Sequence, residues 1–155
     1  GRAADYVATV IKTYREAIDS YYEGTFTKEK INTWMEALAT VYNRGFWSGY
    51  YLGQKLGEWS DNPGSNATQK KVYVGKGMHY FPKSSIAEFK IEAYDIKKGD
   101  KILITGPSTG AQELILEDFF VNDATSEKAT KGDSCTLKVP FRIRLSDKMY
   151  KIVEN

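Results

Sequence analysis

The spacing of apolar residues changes once along this chain, and that change limits the fold more than any other feature. Up to about residue 43 they recur every three or four positions. From Val72 onward they recur every second position. A helix buries a stripe of period 3.6 and a half-wetted strand buries a face of period two, so a helical part precedes a strand part. The class that follows is α+β. With 155 residues the chain is one domain, or a small domain with an appendage, and can bury roughly two-thirds of its surface without staples.

Residues 3–22 read as an amphipathic helix, with Val7, Val10, Ile11, Tyr14, Ile18 and Tyr21 on one face. Gly24 stops it, and Thr27 is suited to cap the next helix with its hydroxyl. That second helix is expected from Lys28 to Asn43, with Ile31, Trp34, Met35, Leu38, Val41 and Tyr42 as its stripe. A connection this short favours an antiparallel hairpin.

The stretch Arg44–Gly57 is rich in glycine and aromatic residues and reads as a connector; with the helices it forms a first region, 1–57. Residues 58–70, which include Ser60-Asp61-Asn62-Pro63-Gly64, carry turn chemistry and form a linker,. Region 71–155 holds six expected strands: Val72–Tyr80, Ala87–Ala93, Ile102–Thr105, Glu113–Val121, Cys135–Val139 and Met149–Val153. Six short strands separated by turns suggest a small closed barrel.

A short pattern repeats in that region. Lys98-Gly99-Asp100 and Lys131-Gly132-Asp133 each precede an apolar strand that ends on a proline, Pro107 or Pro140. Gly admits positive φ and Asp can cap backbone donors, so both read as turns. Leu145-Ser146-Asp147-Lys148 is a looser third version. Two facing units of this kind would close a barrel with approximate two-fold symmetry.

Little in the chain looks catalytic. Cys135 is the only cysteine, so neither a disulfide nor a cysteine-ligated cluster can form within the chain,. It alternates with Leu137 and Val139 and reads as a small buried thiol. His79, the only histidine, lacks an evident helper and reads as structural or exposed. Glu117-Asp118, and Asp100 with Asp133, have the chemistry of acid/base pairs or calcium ligands, but Asp100 and Asp133 each follow a glycine and read as turn residues,. Gly106-Pro107-Ser108-Thr109-Gly110 lacks the spacing and the lysine of a phosphate loop and reads as a strand connection. No signal peptide precedes the first helix, and the apolar runs are too short to span a bilayer,. The opening on Gly1, directly into a helical pattern, reads as the interior of a longer protein.

Net charge is +2, so any binding signal must lie in the distribution of charge rather than its total. Lys138, Arg142, Arg144, Lys148 and Lys151 face one acid, Asp147. Arg142 and Arg144 alternate with Phe141, Ile143 and Leu145, which puts both on one face if the segment is extended. Lys70, Lys71, Lys76 and Lys83 interleave with Tyr73, Tyr80 and Phe81. Cations next to aromatics suit RNA; a solvated face with lysines on strand edges is the plainer alternative. The candidate substrate- or RNA-binding residues are Lys76, Arg142, Arg144 and Lys148. Phe46, Trp47, Tyr50 and Tyr51 are expected to pack between domains.

Several segments, in order, resemble the collagenase-like peptidase family U32: Tyr6-Val7-Ala8, Tyr14-Arg15-Glu16-Ala17-Ile18-Asp19, Arg44-Gly45-Phe46-Trp47-Ser48-Gly49-Tyr50-Tyr51, Tyr73-Val74-Gly75-Lys76, Ile96-Lys97-Lys98-Gly99-Asp100-Lys101-Ile102, Ile104-Thr105-Gly106-Pro107, Lys131-Gly132-Asp133 and Lys148-Met149-Tyr150-Lys151-Ile152. The resemblance implies a helical hairpin followed by a six-stranded barrel similar to domain 2 of translation elongation factors, C-terminal to an α/β-barrel catalytic part. It implies peptidase activity for the parent or, in other members, hydroxylation of RNA bases or quinone precursors with an iron–sulfur cluster; no residue here matches the cluster's cysteines. The expectation is a non-catalytic accessory region with no cofactor of its own. Its partners would be an upstream catalytic domain and a polypeptide or RNA substrate, with no membrane, in the cytoplasm.

Overall fold

Helix α1 spans Ala4–Tyr22 and α2 spans Lys28–Ala39 in the computed structural model, which describes residues 1–47, 49, 53 and 64–155. Gly24, at φ 69°, ends the first helix as expected. Thr27 caps the second, its hydroxyl accepting from the Lys30 amide at 3.3 Å. The connection is tied by side chains. The Lys30 ammonium donates to Ser20 Oγ at 3.0 Å and to Thr25 Oγ1 at 2.8 Å.

Two helical expectations are corrected. Helix α2 stops four residues before Asn43, because side chains claim the carbonyls of its last turn. Thr40 Oγ1 donates to the Ala37 carbonyl at 2.7 Å, and Asn43 Nδ2 donates to those of Ala39 and Val41. Polar side chains of this kind compete with helix continuation. The apolar stripe of α1 is not its covered face. Thr13 and Ser20 are buried and Ala17 is half-buried, whereas Val7, Ile11, Tyr14, Ile18 and Tyr21 are exposed.

The chain divides into two compact units: Gly1, Ala3–Asp5 and Lys71–Val153 form one, and Arg2, Tyr6–Lys70 and Glu154–Asn155 the other. Ten strands lie among the described residues: β1 Gln69–Phe81, β2 Ile86–Ile91, β3 Ile96–Lys97, β4 Lys101–Gly106, β5 Gly110–Ile115, β6 Phe119–Val121, β7 Ala124–Ser126, β8 Lys128–Ala129, β9 Ser134–Lys138 and β10 Lys148–Glu154. Eight form an antiparallel sheet in the order β5-β4-β10-β1-β2-β9-β6-β7, and β3 pairs with β8. The period-two reading holds on the inner strands. Ala87, Phe89 and Ile91 of β2 enter the core with Cys135 and Leu137 of β9, beside Ile102, Ile104, Phe119 and Met149.

The six-stranded closed barrel, and with it the likeness to elongation-factor domain 2, is replaced by this larger sheet, whose order ends on β5 and β7. The expected strand Glu113–Val121 is two strands, interrupted at Leu116, Glu117 and Asp118. β3, β7 and β8 are too short to carry a readable alternation. The 107–109 segment joins β4 to β5, as a connection rather than a phosphate loop.

The repeated turn is present at all three places, the looser third version included. Asp100, Asp133 and Asp147 each close a turn, donating their own amide to the carbonyl three residues back (Lys97, Thr130, Arg144) at 3.0–3.1 Å. Each carboxylate accepts that same residue's amide at 2.7–2.8 Å. The residue before each aspartate has positive φ: Gly99 89°, Gly132 99°, Ser146 68°. Each turn then clasps a neighbouring strand or strand end. The amides of Gly99, Gly132 and Ser146 donate to the carbonyls of Leu116, Ile91 and Gly77, whose amides donate back to the aspartate carbonyls. A strand follows each turn: β4, β9 and β10.

Close backbone approach fixes two glycines. A Cβ at Gly75 would overlap the Lys90 carbonyl oxygen, and one at Gly106 would overlap Asp147 Oδ1. Neither the Lys90 backbone in its strand pair nor the buried Asp147 can easily yield. We predict that Gly75→Ala lowers unfolding free energy by about 1–3 kcal/mol and Asp147→Ala by about 1–3 kcal/mol. Ser146→Gly, which removes a non-glycine residue from the left-handed region, should raise it by up to about 1 kcal/mol. Urea midpoints of the three variants check the order; a stabilised Asp147→Ala would contradict the role given to the turn.

Candidate functional site

The third aspartate turn positions three of the four candidate binding residues, Arg142, Arg144 and Lys148. Asp147 is buried, and its Oδ2 accepts the Arg144 amide at 2.8 Å and the Thr109 hydroxyl. With the backbone fixed there, Ile143 enters the core, Phe141 packs against it, and Arg142 and Arg144 are exposed. Both arginines are thus exposed as the alternation required, although the 139–147 segment is irregular rather than a strand. Leu145 departs from that alternation: it sits at the tip of the turn and is 74% exposed.

Gly77 donates to the Asp147 carbonyl at 2.7 Å and accepts from the Ser146 amide at 2.9 Å. That clasp brings the backbones of Lys76, Arg144 and Lys148 together, with Arg142 two residues beyond. The side chains differ in state. Lys76 Nζ lies 2.9 Å from Glu92 Oε1, and the same carboxylate accepts the Tyr73 hydroxyl at 2.6 Å. The Tyr73 hydrogen bond, followed by that of Lys76, holds the Glu92 carboxyl below its ordinary range. Arg142, Arg144 and Lys148 are exposed and make no ion pair among the described residues.

The other cations are spread out. Lys151 pairs with the buried Asp100 at 2.8 Å, and Lys71 lies 5.2 Å from the centre of the Tyr150 ring. Lys70, Lys83 and Lys138 are exposed. Of the aromatic connector, Phe46 and Trp47 are exposed, while Tyr50 and Tyr51 lie outside the described residues, as do residues 58–63 of the linker.

His79 is exposed and stacks edge-to-face on Phe81, ring centres 4.4 Å apart. Asp118 pairs with Lys98 at 2.6 Å. Cys135 is fully buried, and burial pushes its thiol up to about 12. A thiol in that state is a poor nucleophile at neutral pH. A polar cavity of about 200 Å³ is lined by Glu88, Asn122, Asp123, Ser134 and Thr136; no sequence pattern had pointed to it. No described helix is long and apolar enough to cross a membrane.

The profile of peptidase family U32 matches residues 1–61, which hold both helices. The helical part of the chain is thus similar to peptidase family U32. A protein named Collagenase from Porphyromonas gingivalis strain W83 is 50% identical over 150 residues, covering 97% of this chain and 36% of that protein. A second Porphyromonas gingivalis Collagenase is 49% identical, covering 97% of this chain and 42% of that protein. A Methanocaldococcus jannaschii protein described as an uncharacterized protease is 34% identical over 159 residues, covering 99% of this chain and 39% of that protein. The chain spans about two-fifths of the length of these relatives. Among solved structures, the selenomethionine variant of the C-terminal domain of a Geobacillus thermoleovorans U32 peptidase aligns with a TM-score of 0.48 at 19% identity, covering 50% of this chain and 96% of that one.

Burial gives the chain a defined response to alkali. Cys135 is raised from 9.0 to about 12, mainly by desolvation, and Tyr73 from 10.0 to about 12, by desolvation and then its bond to Glu92. A group whose folded value is raised stabilises the fold below its unfolded value, and that stabilisation is lost as pH climbs toward the folded value. Unfolding free energy should therefore fall between pH 9 and 12. Cys135→Ala should remove the part that begins near pH 9 and leave the part that begins near pH 10. Urea titrations at stepped pH read this; an unchanged alkaline profile in Cys135→Ala would contradict it.

Proposed function

We propose that this chain is the non-catalytic C-terminal accessory part of a collagenase-like U32 protein, positioning a polypeptide substrate for catalytic residues that lie elsewhere in the full protein. The observation that carries the reading is the 50% identity, across 97% of the chain, to a protein named Collagenase of which the chain spans 36%. The state of the reactive groups supports it. Three aspartates are engaged in turns, the thiol is buried and its ionisation suppressed, and the histidine packs on a phenylalanine. Arg142, Arg144 and Lys148 would contact the substrate, acting through binding rather than chemistry.

An RNA-binding role has less behind it. Its set of four cations loses Lys76 to Glu92, and the small closed barrel it assumed is not the observed fold. Salt-sensitive RNA binding, lost in Arg142→Glu/Arg144→Glu, would favour it, because phosphate contacts release counterions.

Gelatin hydrolysis tests the main reading. The 155-residue chain should cleave nothing, while the full-length protein cleaves. Arg142→Glu/Arg144→Glu in the full-length protein should raise KM by up to about thirtyfold, with kcat little changed, since exposed charges are each worth up to about 1 kcal/mol. Hydrolysis by the 155-residue chain, abolished by a single substitution within it, would overturn the reading.

A further inference from the structure

Helix α1 has three distinct faces, and only two have an evident use. At about 100° per residue, Thr13, Ala17 and Ser20 fall on one side, which is the covered side. Lys12, Arg15, Glu16 and Asp19 fall on a second, with ion pairs Lys12–Glu16 at 4.0 Å and Arg15–Asp19 at 3.1 Å along it, as suits a wetted helix surface,. Val7, Ile11, Tyr14, Ile18 and Tyr21 fall on the third, exposed by 41–70%. From Val7 to Tyr21 the stripe runs about 21 Å. It is continued by aromatics: Tyr21 meets Phe26, and Phe26 meets Trp34, at ring-centre distances of 6.5 and 5.4 Å.

Large apolar side chains placed singly on a surface need no explanation, but an unbroken stripe beside a separate charged face marks a docking surface. We infer that this third face of α1 is the seat of the remaining part of the U32 polypeptide, beyond these 155 residues. Two observations select that occupant over a foreign partner. The family profile matches residues 1–61, so the helix belongs to the stretch that the family shares. The relatives at 50% and 49% identity carry more than half of their length outside the aligned region. The inference rests on the accessory reading above and moves the main docking surface from the aromatic connector to the helix.

Thiol footprinting of the full-length protein tests it. Single cysteines are introduced as Ile11→Cys, Ile18→Cys or Lys12→Cys, and labelling is read by mass on the peptide that carries each. In the native protein, positions 11 and 18 should label about tenfold or more slowly than position 12, and all three should label alike in urea. Equal native rates at 11 and 12 would overturn the inference. Protection that disappears on dilution would also overturn it, since the occupant would then be a second copy. The readout is burial and needs no catalytic activity, so it can fail while the accessory reading stands; that reading falls instead if the 155-residue chain itself hydrolyses gelatin.

Discussion

The strand-bearing unit depends on a carboxylate accepting the backbone amide three residues before it. Asp100, Asp133 and Asp147 each make this bond, and each turn so closed exchanges two further backbone hydrogen bonds with a neighbouring segment. Three strands, β4, β9 and β10, start from these turns, which fixes where each strand begins. Two of the aspartates are buried, and burial makes the bonds matter: a carboxylate out of water without donors is costly. Asp100 gains Lys151 and Asp147 gains Thr109, so neither is left short of partners.

The same device shapes the surface. Holding the Arg144 amide on Asp147 turns Ile143 inward and leaves Arg142 and Arg144 outward, and the clasp on Gly77 sets Lys148 beside them. Structural and candidate functional residues thus share one turn. Changing the arginines alters charge at little cost to the fold, because they make no ion pair among the described residues. Changing the aspartate would disturb both.

The helical unit follows a different economy. Its connection is fixed by hydroxyls and one ammonium, Ser20, Thr25 and Lys30, together with ring contacts of Phe26 to Tyr21 and Trp34. Val7, Ile11, Tyr14 and Ile18 of α1 remain exposed within the described structure. In a protein that spans about two-fifths of its relatives, such a face is consistent with a part shaped to fit a larger whole.

The change of period near residue 70, the Thr27 cap, the Gly24 stop and the inward set of β2 and β9 were legible in the sequence, because each depends on local chemistry or strict alternation. So were the three aspartate turns and the resemblance to the family, the latter through ordered segments rather than any one motif. The end of α2 was not, because Thr40 and Asn43 take its last carbonyls through side-chain geometry that spacing does not encode. The three shortest strands and the open order of the sheet depend on pairing between distant segments, which no local window contains. In α1 the sequence held two stripes at helical spacing, one apolar and one of Thr13, Ala17 and Ser20. Only tertiary structure decided that the small residues would be covered and the large ones left open, because that choice depends on what packs against the helix rather than on the helix itself.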